Sequence, residues 1–177
     1  MQKISVQELL TEYANGRRDF GNIDLSGADL FECDLQDIDL QGSDLSQAYL
    51  AYTNLSRANL QDAQIQGAEL SSARLQFANL TKANLQQAIL VRADLCYSQL
   101  EGANLVNTNF QNVDLRYASL SFANLKNANL SNANLKQTKL TGANLSSCNL
   151  FRAQSANLDD ADTDDTTIFP DGHRGVR

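Results

Sequence analysis

The side chains able to do chemistry are few, and their spacing does not assemble them. His173 is the only histidine, and no nucleophile or orienting acid is read as its partner, which a general base requires. Cys33, Cys96 and Cys148 lack the close paired spacing of a metal knot or a redox couple. Serine and aspartate recur at fixed intervals, so their abundance reports a repeat rather than a site. The glycines at 27, 42, 67, 102 and 142 stand singly and form no loop that would cradle a phosphate. The sequence therefore assigns no catalytic residue, no cofactor-binding residue, no metal ligand and no cofactor. The expected protein is not an enzyme, and any function must lie on its surface.

The element that positions those surfaces is a period of five. From Phe20 to Leu150 every fifth residue is large and apolar, and it is Leu at each step except Phe20, Ile65 and Phe110. A helix would rotate such residues all round its axis, and a strand would send alternate ones to opposite faces. A chain that turns a corner in each repeat satisfies both constraints, bringing every fifth side chain to one axis. Two residues before the Leu the chain prefers something small, such as Ala58, Ala83 or Ala143, which can share a narrow interior. Immediately before it stands Asp early (Asp24, Asp44) and Asn later (Asn84, Asn144); these hydrogen-bond to nearby backbone and favour turns. The two residues after it are mostly polar and face water.

The runs Ala28-Asp29-Leu30, Arg57-Ala58-Asn59-Leu60 and Thr141-Gly142-Ala143-Asn144-Leu145 resemble the A(D/N)LXX motif of pentapeptide-repeat proteins. The likeness runs through 27 consecutive units. The resemblance implies an all-β fold, a right-handed quadrilateral parallel β-helix with four pentapeptides to a coil and about seven coils. The ends are similar to those of cyanobacterial-type members of unknown function. Residues 1–16 are expected to be an N-terminal cap, 17–155 the repeat, and 156–177 a C-terminal capping tail. In the first segment Ser5 with Glu8 three residues on forms a capping-box signature, Val6, Leu9, Leu10 and Tyr13 recur at helical spacing, and Gly16 is a stop. A short helix from about Val6 to Ala14 follows, with Leu10 as its expected anchor. In the tail Ala156-Asn157-Leu158 repeats the motif out of phase, and the new phase runs through Thr163 and Ile168, leaving Leu158, Ile168 and Phe169 without a place on the old axis.

With a coil of twenty, residues twenty apart stack. Phe77, Tyr97 and Tyr117 then form an outward aromatic column, with Tyr52, Ile89 and Val91 on the adjoining face and Tyr49 nearby. This candidate partner surface has two readings: a ladder that stabilises itself by stacking, and a protein-binding patch. The five glycines fall on two of the four faces and the aromatics on the other two, with only Phe122 breaking the division. Asn84, Asn104, Asn124 and Asn144 fall in one column as an expected amide ladder.

Charge is distributed unevenly. The net charge of −7 conceals an acidic start, with eight acids and no base from Asp19 to Asp44, and an acidic finish from Asp159 to Asp171. Between Leu45 and Ser155 nine bases outnumber five acids. Asp19, Asp24, Asp29, Asp34, Asp39 and Asp44 form a candidate acidic surface, read as a solubility face, with a contact for a basic partner and a weak cation site as alternatives. The resemblance also implies a second function, a DNA-mimic binder of a type II topoisomerase such as DNA gyrase. The basic waist counts against it, as a mimic should be negative along its length. The absence of insertions between repeats counts against it too. Direct nucleic-acid binding is not expected. Without an apolar leader or a membrane span the expected location is cytoplasmic. Cys33 and Cys148 are expected to be buried and Cys96 to face out. The expected partner is a protein, the module being structural or protein-interacting, and the state a monomer or a homodimer through the C-terminal end.

Overall fold

A computed structural model describes residues 1–175. Val176 and Arg177, the last two residues of the expected C-terminal cap, lie outside the described residues. The chain opens with a strand β1 (Gln2–Lys3), a helix α1 (Val6–Ala14) and a strand β2 (Ile23–Asp24). Beyond them, short parallel bridges repeat through the body of the protein.

Each five-residue unit turns in the same way. The carbonyl of the axial Leu accepts a hydrogen bond from the N–H three residues on, as between Leu25 and Ala28 at 3.0 Å. The second residue after the Leu has a positive φ, such as +65° at Gly27, +60° at Tyr52 and +62° at Tyr97. A positive φ at that one position is the signature of a type II turn. The residue before the Leu supplies a third tie, since the Asp24 carboxylate accepts the Ser26 N–H at 2.9 Å and the Asn84 amide oxygen accepts the Gln86 N–H at 3.3 Å. The preference for Asp and Asn at this place is thus a preference for a side chain that can hold its own corner.

Four turns return the chain to its starting direction. Asp39 bridges Asn59, Asn59 bridges Asn79, and the ladder runs on through Gln99 and Ser119 to Lys139, always in parallel and twenty residues apart. Each rung has two backbone hydrogen bonds, for example Leu30 N–H to the Tyr49 carbonyl and Tyr49 N–H to the Ala28 carbonyl, at 2.8 and 2.9 Å.

The interior follows the period. Phe20, Ile65, Phe110 and the axial leucines through Leu150 are buried, none more than 4% exposed. Where Ser or Thr replaces the small Ala, its hydroxyl finds a carbonyl, which for Ser98 is that of Leu95 in its own turn. Ser43, Thr53, Thr108 and Thr138 donate their hydroxyls, and Cys148 its thiol, to the carbonyl of the residue 23 earlier, at 2.7 to 3.0 Å. A buried hydroxyl left unpaired would cost about 1–3 kcal/mol. These substitutions are accepted because the coil below offers an acceptor. Two thiols depart from expectation. Cys96 is buried rather than facing out, and Cys33 is only partly buried because it lies in the first coil, where less chain covers it.

Both ends are covered. Ser5 caps α1 by accepting the Glu8 N–H at 3.1 Å, and β1 pairs with β2 in parallel, Gln2 opposite Ile23. The helix anchor is Leu9, which is fully buried, whereas Leu10 is half-buried. At the other end the rung shortens: Asp162 bridges Asn144, and Ile168 bridges Asn149. Ile168 therefore occupies the outward rung position and Phe169 the axial one. Phe169 is 1% exposed, so it does have a place on the axis. The chain runs two residues short of a full coil at Asp162 and one short at Ile168, so the large side chain moves one place along.

Candidate functional site

The ladders through Asp39 and Asp34 are the walls on either side of one corner, and the residues at 37, 57, 77, 97, 117 and 137 project from it. Their turns put bulky side chains in the left-handed region, with φ of +61° at Phe77 and +62° at Tyr97 and Tyr117. L-residues adopt this conformation at a cost of roughly 1 kcal/mol each, which Gly avoids. Other corners of the chain use Gly102, Asn107 or Asn127 at this turn position. The three rings gain a stack in return. Phe77 and Tyr97 are 5.0 Å apart with planes at 5°, and Tyr97 and Tyr117 are 4.7 Å apart with planes at 3°. These separations match the spacing of neighbouring strands, so the coil pitch itself brings the rings into register. They remain 59%, 48% and 39% exposed.

The other candidate surface residues form a separate group. Tyr49 and Tyr52 join Phe31, with Tyr49 stacked on Phe31 at 5.6 Å and Tyr52 edge-on to it at 5.8 Å. Ile89 stands on the Tyr49 ladder beyond Glu69, and Val91 is half-buried beside it. Phe31 is missing from the sequence reading. It lies 18 and 21 residues before Tyr49 and Tyr52, close to one coil, and that nearness was the signal that could have found it. Phe122 is 72% exposed and lies against Gly142.

The acidic surface is explained by its turns. Asp19 bridges Asp39 and Asp24 bridges Asp44, so like charges stack. Their carboxylates accept backbone N–H groups two residues on, at Gly21, Ser26, Gln41 and Ser46. Asp29 does the same with Phe31. Asp34 accepts from the Asn54 and Gln36 amides. Hydrogen bonds from the Ser26 hydroxyl and N–H hold the Asp24 carboxyl below the usual carboxylate range. Corner-holding thus accounts for Asp19, Asp24, Asp29, Asp39 and Asp44, while Asp34 is held by side-chain amides. The amide ladder is made in part, with Asn104 donating to Asn84 at 3.0 Å and Asn84 to Gln64 at 3.1 Å.

One cluster was not legible beforehand. Among the described residues, ligand atoms of Asp94, Cys96 and Asp114 lie within 4.8 Å of one another. Arg116 clasps Asp114, with its Nη2 2.7 Å from Oδ2, and the Gln76 amide donates to Asp94 at 2.7 Å. Burial, with hydrogen bonds to Asp114 and Asp94, pushes the Cys96 thiol up to about 12. The trio is a set of donors a cation could use, but Arg116 already supplies the positive charge at Asp114. His173 does have neighbours, since it pairs with Asp171 and stacks on Phe169 at 4.7 Å. The clefts at the two ends, of about 740 Å³ along Val6, Leu10 and Ala14 and about 440 Å³ along Leu158, Asp162 and Phe169, are open to solvent. Among the described residues no helix is long and apolar enough to cross a membrane.

The family model described as pentapeptide repeats matches in eight copies, over residues 18–47, 38–76, 73–112, 97–132, 118–153 and 128–162. Among solved structures the chain is similar to HetL, a pentapeptide-repeat protein involved in heterocyst differentiation regulation from the cyanobacterium Nostoc sp. strain PCC 7120. The identity is 30%, covering 97% of this chain and 99% of that one, with a TM-score of 0.38. It is also similar to Rfr23 from the cyanobacterium Cyanothece 51142, at 23% identity, 93% and 99% coverage and a TM-score of 0.38. QnrB1, a plasmid-mediated fluoroquinolone resistance protein, matches at 18% identity, 84% and 78% coverage and a TM-score of 0.44. None of the curated proteins matches the chain.

Proposed function

Because the chain belongs to the pentapeptide-repeat family, we propose that it is a non-enzymatic interaction module, a right-handed quadrilateral β-helix that presents a rigid corner to a protein partner. Residues 1–16 and 156–177 act as caps on the repeat of 17–155, keeping its strand edges from pairing with other chains. The observation that carries the proposal is the column Phe77, Tyr97 and Tyr117, stacked at 5.0 and 4.7 Å yet 39% to 59% exposed. Contiguous apolar surface on a soluble chain marks binding more often than fold. A rigid scaffold limits the ordering cost of binding, and aromatic residues are the usual anchors of protein interfaces.

The exposure of the stacked rings, 39% to 59%, supports the binding reading over the self-stabilising one. Their left-handed conformation does not single them out, since Arg57, Lys82, Gln87 and Arg92 share it at their own turns. The acidic coils give little support to a DNA mimic. Five of their carboxylates hold their own turns, and the basic stretch from Arg57 to Arg152 breaks the run of negative charge.

The test is Tyr97→Ser combined with Tyr117→Ser, read by thermal melting and by capture of partners on the immobilised chain. Intact folding with lost capture supports the proposal. A loss of several kcal/mol of stability, with capture unchanged in the fraction that folds, overturns it in favour of a stabilising ladder.

A further inference from the structure

The aromatic corner has opposite charge at its two ends. Below the rings stand Asp34 and Asp39; above them stand Lys136 and Lys139. Asp39 and Lys139 stand on one bridge ladder, five rungs apart; that ladder begins one rung lower at Asp19, and Asp34 begins the ladder on the other wall. At about 4.8 Å per rung that separation is roughly 24 Å. Lys136 and Lys139 are exposed, and among the described residues neither has a carboxylate within ion-pair distance. Arg116, by contrast, is already held by Asp114.

We propose that the partner of this corner is a second copy of the same chain, packed side by side and antiparallel, so that Asp39 faces Lys139 of the other copy and Asp34 faces its Lys136. The inference rests on the corner being a partner surface and names the partner. Two-fold symmetry allows two side-by-side arrangements. With the axis along the coils the copies are parallel, and acids meet acids at one end while lysines meet lysines at the other. With the axis across them each level meets its opposite, and each wall faces the same wall of the other copy. Only the second arrangement brings the ladder of Asp39 against Lys139 at both ends at once. It also fixes the register: the axis passes between Phe77 and Tyr97, so each of these rings meets the other type across the interface, and Arg57 meets Tyr117. The contact is narrow, because two corners meet rather than two faces, and the dimer belongs to the weak, salt-sensitive class.

The experiment is sedimentation velocity on the full chain from micromolar to millimolar concentration, at low and high salt. A concentration-dependent dimer is expected, weakened by salt and by Tyr97→Ser with Tyr117→Ser. Lys136→Glu with Lys139→Glu should weaken it roughly tenfold or more. So should Asp34→Lys with Asp39→Lys. Mixing the two charge-swapped proteins should restore association, since each then meets its opposite at both ends. A dimer indifferent to these substitutions overturns the inference by placing the contact elsewhere. A chain that stays monomeric at millimolar concentration also overturns it. If that monomer retains another protein through Tyr97 and Tyr117, the corner survives as a partner surface and only the identity of its partner falls. If it retains nothing, both readings fall.

Discussion

The ring of Phe122 occupies the space that a side chain at Gly142 would need, since a Cβ at Gly142 would come within 2.7 Å of Phe122 Cδ1. The two residues are one coil apart at the same turn position, and φ at Gly142 is +63°. Gly102 shares the conformation, at +64°, but its neighbour Lys82 stays 3.7 Å away.

This pair predicts unequal costs for the same substitution. Gly102→Ala should lose about 1 kcal/mol, from conformation alone. Gly142→Ala should lose about 2 kcal/mol or more, because the phenyl ring must also move. Adding Phe122→Ala to Gly142→Ala should bring the cost back toward that at Gly102. Urea denaturation of the four proteins checks this, and equal costs at the two glycines would remove the steric explanation.

The N-terminal helix should depend on Leu9 more than on its neighbour. Leu9→Ala removes a fully buried side chain and should cost about 2–4 kcal/mol, while Leu10→Ala, at a half-buried position, should cost less. Thermal melting with light scattering would show the Leu9 variant unfolding and aggregating first.

The buried thiols set an alkaline limit. Burial raises Cys96 to about 12, helped by Asp114 and Asp94, and burial raises Cys148 to about 12 as well. An unfolded thiol ionises near its ordinary 9.0. Between these values the folded state holds more protons than the unfolded one, so stability is complete below about pH 9 and declines as pH rises toward 12. The urea midpoint should therefore fall across this window, and fall less in Cys96→Ala with Cys148→Ala. Both thiols should react slowly with a disulfide reagent at pH 8 in the native protein.

At the acidic end Asp164 acts in the opposite sense. Hydrogen bonds from the Ser147 N–H, the Thr166 hydroxyl and other groups of the tail turn depress its carboxyl well below the ordinary 3.8. Its contribution is present above that value and is lost as pH falls below it. Asp164→Ala should speed amide exchange at Thr167 and Ile168, whereas Asp164→Asn, which keeps an acceptor oxygen, should preserve part of the protection.

The repeat was legible because five residues fit neither a helix nor a strand, so Leu25, Ile65 and Leu105 had to share an axis, and all three are buried. The helix bounds were legible because Ser5 and Gly16 mark them. The strand Gln2–Lys3 was not, because two residues carry no period. Cys96 was misplaced because its position, one after an axial Leu, is usually wet. Here Asp94, Asp114 and Arg116 close over it, and that enclosure depends on residues two before and eighteen and twenty after. Ile168 lies off the axis as expected, but the tail was misread at Phe169, because a shortened coil carries it into the axial place, which no local pattern announces. The candidate site was legible as a column of rings, since stacking follows from the coil length. Its grouping with charge on the two walls needed the ladders themselves.

The central claim is that the partner surface exists only because the corners recur every twenty residues. Removing residues 81–100 should leave Phe77 stacked directly against Tyr117, with a cooperative melt and a near-ultraviolet circular dichroism signal from paired rings. Removing only residues 86–100 should also fold, but it takes out Tyr97 as the first deletion does and turns every later coil by one corner, so Tyr117 no longer lies one coil from Phe77 and the signal of that pair is abolished. Near-ultraviolet circular dichroism of these two deletions is the most direct measurement. A Phe77–Tyr117 signal that survives the fifteen-residue deletion, or is lost with the twenty-residue one, would contradict the account.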